Sequence, residues 1–216
     1  MPSKKLTLAA NDSRPVEVHW KGNFKKLRVT LDGTDVIEVA NKQELQAGKS
    51  VTLPNGKTLA VGWAGAYSGG LAVELDGVPL PGSGNDPVTM VKVAAQLLAF
   101  VAILNIALGM AAELGPVEFL VRLGIGWASA IAGGLYGVLA YGTYKRHFIA
   151  LLLGVGLFAF DGIYTIVISF EYTGRLPTGG IIFRVLLLLP MIRALGPIRT
   201  LRKSEMDEPT ARVVSE

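Results

Sequence analysis

Four polar or charged side chains interrupt the apolar C-terminal half of this 216-residue chain: Asn105, Arg122, Asp161 and Arg184. Inside a lipid bilayer an ionised carboxylate or guanidinium must face a partner, a watery cavity or the interior of a helix bundle. The chemistry open to such a set follows from that restriction. It can act as a clamp that fixes helix register, or as a functional site: a proton or ion relay, or a pocket for an anion or a lipid headgroup. At about 1.5 Å of rise per residue, Asp161 lies about 13 Å and Arg184 about 10 Å below the same end of their helices, with Asn105 and Arg122 at similar depth. Asp161 with Arg184 is the first pairing. Arg122 is the competing partner, and it can also reach Glu118 one turn earlier on its own helix. Arg193 belongs near the opposite surface, where its long side chain can snorkel to headgroups.

Four apolar blocks have to position these residues, at about 91–112, 119–144, 148–170 and 177–195. Each is near or above the roughly 20 residues that cross a bilayer as a helix, the last with least to spare. A hydrophobic content of 50% and a mean hydropathy of +0.44 exceed those of an ordinary soluble domain. The apolar residues are concentrated after Met90, whereas before Pro87 they alternate with Lys, Asp, Glu and Gly, which predicts two domains. The balance of 21 Lys+Arg against 17 Asp+Glu, net +4, flanks the apolar blocks in "YKRH" (144–147) and "RTLRK" (199–203). Topology accounts for that charge, so no nucleic-acid partner is expected. Basic loops stay in the cytoplasm, and the connections carrying Glu113, Glu118 and Glu171 are expected outside. Both termini are then cytoplasmic, in an inner (plasma) membrane, and the opening residues show no signal-peptide pattern.

Small residues in the second block, Gly126, Ala130, Gly133, Gly134 and Gly137, recur at the spacing that lets helix backbones approach closely. They predict tight packing within the chain ahead of dimerisation. Pro190 is expected to bend or break the fourth helix, leaving the last segment along the interface.

The N-terminal part reads as β-structure. Asp32-Gly33, Asn55-Gly56 and Asp76-Gly77 each separate β-rich runs and tolerate the positive φ of tight hairpins. Alternation within "VEVHW" and "KLRVTL" places Val16, Val18, Trp20, Leu27, Val29, Leu31, Ile37, Leu53, Leu59, Val61, Leu71 and Val73 on the core face. In "GWAGAYSGG" (62–70), plain packing is the favoured reading of Trp63 and Tyr67 on a glycine-rich loop, with contact to a ligand, a partner or the bilayer surface as the alternative. Asp86 with Pro87 marks the start of the first long helix.

The inventory for catalysis is thin. There is no cysteine, and the two histidines, His19 and His147, lie in different domains. "AGKS" (47–50) resembles the end of a phosphate loop, but Gln43 stands where glycine is needed and a strand follows. No catalytic residue, metal site or cofactor is expected. The reading is an α+β membrane protein: a flexible N-terminus (1–13), a small cytoplasmic antiparallel β-domain (14–81), a linker (82–90), a four-helix transmembrane bundle (91–198) and a polar cytoplasmic tail (199–216). Its expected role is a non-enzymatic integral membrane protein that presents the β-domain for interaction, ligand sensing or assembly. The expected partners are the lipid bilayer and either a second copy of the chain or a protein bound through the β-domain. The alternative is an oligomeric channel or transporter component that uses the polar layer.

Overall fold

The computed structural model describes residues 2–9, 12–65, 70–115, 126–173 and 178–201. The chain divides into two units, Met1–Met90 and Val91–Glu216. The first contains β1 (Ser3–Ala9), β2 (Asp12–Lys21), β3 (Lys25–Leu31), β4 (Thr34–Val39), the short helix α1 (Lys42–Ala47), β5 (Lys49–Thr52), β6 (Thr58–Gly62), β7 (Ala72–Leu75) and β8 (Val78–Pro79). These form two antiparallel sheets, β1-β2-β3-β4 and β5-β6-β7-β8, each in chain order. Successive strand residues point to opposite faces, so one apolar set from each sheet goes inward. The register aligns Val18 with Val29, Leu27 with Val39 and Val61 with Val73. All six are buried in one cluster with Leu6, Leu8, Leu45, Leu53 and Leu80. Full burial of a leucine such as Leu27 or Leu59 contributes about 2 kcal/mol relative to exposure.

The outer face of the first sheet carries cross-strand ion pairs, Lys5 to Glu17 at 2.7 Å and Arg28 to Glu38 at 3.4 Å. The Lys5 ammonium holds the Glu17 carboxyl below its usual range. Such exposed pairs set register and solubility more than they add stability.

Two hairpins turn on the left-handed residues Asp32 and Gly33, and Asp76 and Gly77. The third differs from expectation, because only Gly56 of Asn55-Gly56 has positive φ. Pro54 favours the second position of an ordinary turn closed by the Gly56 N–H to Leu53 carbonyl bond, and Gly56 then supplies the left-handed step.

Two expected boundaries are corrected. Residues 1–13 are not a flexible tail, since Ser3–Ala9 pairs with β2 and buries Leu6 and Leu8. Residues 82–90 are not a linker. The buried Ser83 Oγ accepts the Val73 N–H at 2.7 Å and donates to Asn85 Oδ1 at 2.6 Å, while Asn85 Nδ2 donates to Glu74. Helix α2 (Pro87–Leu114) then starts at once. The Asp86 carboxylate accepts the N–H groups of Val88 and Thr89, each at 3.3 Å, the Thr89 hydroxyl and the N–H of Gly82. A side-chain acceptor just before a first-position proline satisfies donors that a helix leaves unbonded.

Beyond α2 lie α3 (Trp127–Tyr144), α4 (Phe148–Thr173) and α5 (Thr178–Arg193). The protein is thus α+β, with an N-terminal antiparallel β region. Among the described residues, three helices are long and apolar enough to cross a membrane: Pro87–Leu114, Phe148–Glu171 and Thr178–Leu201. Helix α3 is outside that set; its glycines and tyrosines dilute its hydropathy, and residues 119–125 of the expected second block lie outside the described residues. Pro190 sits within α5, which runs on to Arg193; a turn at Ala194 precedes further helical residues to Leu201. Leu98, Leu151, Met191 and Ile198 form the centre of the helical core.

Gly70 (φ +75) faces the Trp63 and Phe24 rings, where an added Cβ would come within 2.6 Å and 2.7 Å. Nothing lies within 4 Å at Gly56 (φ +79). Gly56→Ala therefore costs only the left-handed backbone penalty, about 1 kcal/mol, whereas Gly70→Ala adds a ring clash and costs at least about twice that. Chemical unfolding of the full chain followed in the near-ultraviolet gives both values, and equal values contradict the packing described.

Candidate functional site

Asp161 on α4 and Arg184 on α5 form an ion pair, with Arg184 Nη2 donating to Asp161 Oδ2 at 2.9 Å. The other terminal nitrogen, Nη1, donates to the Gly162 carbonyl at 3.5 Å, so one guanidinium spans two successive residues of α4. Gly162 makes room for this grip, because a Cβ there would lie 3.3 Å from Arg184 Cδ. The Asp161 carbonyl accepts the Thr165 hydroxyl at 2.8 Å. The pair stands at the edge of the helical unit and not at its centre: the Arg184 side chain is 25% exposed and that of Asp161 50%. The pair therefore has a satisfied side toward α5 and an open side away from it.

A cleft of about 180 Å³ runs between α4 and α5 beside the pair, lined by Phe158, Gly162, Ile166, Ile181, Arg184 and Leu188. Arg184 is the one charged group on its wall. Phe158 packs edge-to-face against Tyr136 of α3, with ring centroids 6.3 Å apart. Tyr136 is buried, and its hydroxyl has no hydrogen-bond partner among the described residues. Sequence reasoning missed Tyr136 because a tyrosine in an apolar helix reads as an ordinary interfacial or packing aromatic. Gly162 was visible only as the neighbour of Asp161.

Among the described residues, Asn105 is not joined to the Asp161–Arg184 pair. Asn105 Nδ2 donates to the Val101 carbonyl of its own helix at 2.9 Å, which satisfies it without a partner from α4 or α5. Arg122 and Glu118 lie outside the described residues.

The small residues of α3 meet α2. A Cβ at Gly133 would come within 2.8 Å of the Ala102 carbonyl and the Ile106 nitrogen, and Gly109 of α2 is equally tight against the Ala130 nitrogen and the Gly126 carbonyl. Gly137 lies 3.9 Å from Ala102, at ordinary contact distance. Gly134 differs from expectation, with nothing within 4 Å, because one residue of helical rotation, about 100°, turns it off the seam. Gly126 begins α3 without a capping side chain, and Glu113 of α2 takes that role by accepting the Trp127 N–H at 3.2 Å. A carboxylate at a helix N-terminus is favoured by the unbonded donors there. Gly109 was legible in principle, since Ala95, Ala102 and Gly109 are small residues seven apart.

In the β-unit, Trp63 is half-buried and meets Phe24 edge-on at 5.2 Å, with the Lys42 ammonium 4.4 Å from its ring centre. Tyr67 lies outside the described residues. Residues 47–50 end α1 and enter β5, so "AGKS" borders a strand. His19 Nε2 is 3.2 Å from Glu17 on the charged outer face, and His147 is exposed between α3 and α4. Among the described residues no group of three or more His, Cys, Asp or Glu could hold a metal ion.

No protein-family model, curated protein or solved structure matches the chain.

Gly133→Ala places a methyl against backbone atoms and lowers the melting temperature of the solubilised protein, whereas Gly134→Ala leaves it unchanged or raises it through better helix propensity. A thermal shift in the same direction for both contradicts the seam. Asp161→Asn and Arg184→Gln each destabilise by leaving the other group unpaired at low dielectric. The double variant recovers about 1 kcal/mol of the summed loss, the coupling expected of residues in direct contact. Strict additivity in the unfolding free energies rules the clamp out.

Proposed function

We propose that this chain is a four-span membrane protein that holds its β-unit on the cytoplasmic side as a non-enzymatic interaction or assembly module. The observation that carries this reading is the junction at Asp86. The β-unit closes its own core through Leu80 and Ser83, and the same carboxylate that fastens Gly82 opens a 28-residue apolar helix. That joins a self-sufficient β-fold to a segment long enough to span a bilayer. The apolar stretches Phe148–Glu171 and Thr178–Leu201, and the packing of α3 on α2 through Gly133, support a bundle of spans in which all four helices keep apolar faces outward. The Asp161 to Arg184 pair is then a register clamp between adjacent spans, its charges neutralised within the chain.

A second reading, a conducting or transporting oligomer, has its own observations: the half-exposed Asp161 carboxylate and the unpartnered Tyr136 hydroxyl. The half-exposed Asp161 carboxylates of neighbouring copies would line a path between them, with the buried Tyr136 hydroxyl behind.

The chain has no cysteine, so single-cysteine labelling tests the topology directly. Lys145→Cys in intact cells is expected to resist an impermeant maleimide and Glu171→Cys to react with it; the reverse pattern contradicts the orientation. In liposomes of the purified full chain, proton flux should not exceed that of lipid alone. Flux that disappears in Asp161→Asn would replace the anchor reading with the conducting one.

A further inference from the structure

The β2–β3 hairpin departs from the economy of the rest of the β-unit. Elsewhere in the β-unit four basic side chains have acidic partners, Lys5 with Glu17, Arg14 with Asp32, Arg28 with Asp35 and Glu38, and Lys49 with Glu44, while among the described residues the exposed Lys57 stands alone and unclustered. From Trp20 to Arg28 the sequence is "WKGNFKKLR", without an acidic residue. Lys21, Lys25 and Lys26 are exposed, and among the described residues neither they nor Lys42 form an ion pair. The backbone there is strained as well, with Phe24 at φ 55 and Lys26 at φ 50. Non-glycine residues seldom adopt this conformation, and where they do they tend to mark ligand clamps and switch regions. At this hairpin the strained turn sets the Phe24 ring, partly exposed, between Trp20 (5.5 Å, stacked) and Trp63 (5.2 Å, edge-on).

We propose that this hairpin, with Lys42, is a docking surface for an anionic lipid bilayer. Three lysines free of acidic partners match a negatively charged leaflet in sign. Half-buried tryptophan and phenylalanine edges match the headgroup boundary, where amphipathic rings settle. Nucleic acid is the weaker fit. Base stacking needs open ring faces, and here Trp20 and Phe24 stack on each other while Lys42 covers Trp63. A bilayer is also always at hand, because only residues 80–86 separate β8 from α2, a tether of at most about 25 Å. The proposal rests on the membrane reading above, and its test separates the two.

A nitroxide on Asn23→Cys at the exposed hairpin tip, in the otherwise cysteine-free full chain, reports contact with the bilayer. The protein is placed in nanodiscs of phosphatidylcholine alone or with phosphatidylglycerol at about one third. A second label at Ile103→Cys, on the exposed face of α2, reports insertion. The expected result is lipid-phase relaxation at residue 103 in both discs, and at residue 23 only in anionic discs. The residue-23 signal should reverse at high salt. Substituting Lys21, Lys25 and Lys26 by Gln should lower the bound-to-free ratio about a hundred-fold. A water-exposed label at 103 overturns the membrane reading and the proposal with it. A lipid-exposed label at 103 with a label at 23 indifferent to lipid charge overturns the proposal alone. Immobilisation of the residue-23 label by added single-stranded RNA in neutral discs, without a response to anionic lipid, overturns it in favour of nucleic acid.

Discussion

Every buried backbone N–H must find an acceptor, and this chain meets that demand in two ways, changing from one to the other within a few residues. Up to Pro79, the short α1 apart, the donors are satisfied mainly across strands; from Pro87 they are satisfied within helices. Between the two, the Leu80 and Gly84 N–H groups still reach back to the Val73 and Leu71 carbonyls, and those of Ser83 and Asp86 close local turns. Ser83 and Asp86 add side-chain acceptors, Ser83 for the Val73 N–H of the last inner strand and Asp86 for Gly82 and the first helical turn, while Asn85 holds the Ser83 hydroxyl in place. Much of the architecture depends on this exchange. If Asp86 did not cap the helix, the first turn of α2 would have to fray, and the segment fastening Gly82 to it would come loose.

The helical unit handles polarity by local satisfaction. Asn105 bonds back to its own helix, Thr165 does the same, and Glu113 closes the start of α3. Two of its contacts reach across helices: Glu113 of α2 to the start of α3, and Arg184 to Asp161 and the Gly162 carbonyl. The Arg184 grip and the glycine beside it set an ion pair between two neighbouring helices.

What the sequence revealed and what it hid follow from the range of each signal. The Asp-Gly turns, the Val and Leu alternation of β2, β3 and β6, and the Asp86-Pro87 helix start are local signals, legible within a few residues. β1 was overlooked because its alternation amounts to Leu6 and Leu8 alone, framed by lysines, and is recognised as a strand only by its pairing to Val16 and Val18. α1 was missed because six residues are too few to show a helical period. Leu31 and Trp20, expected in the core, sit at its margin where the strands end. In the helices, residue spacing located Asp161 and Arg184 at a common depth. It could not show which way around the helix each group points, and that is what turned Gly134 off the seam and left Asn105 on its own backbone.

The β-core closes on Leu80 and draws on no residue beyond the first unit. That closure has a consequence in time. A chain synthesised at about 5–20 residues per second takes roughly 6–25 s to complete residues 91–216 once Met90 has been added. A small β-rich domain folds in milliseconds to seconds. The β-unit is therefore finished while its helices are still being made, and each apolar helix leaves the ribosome already attached to a folded, charged body.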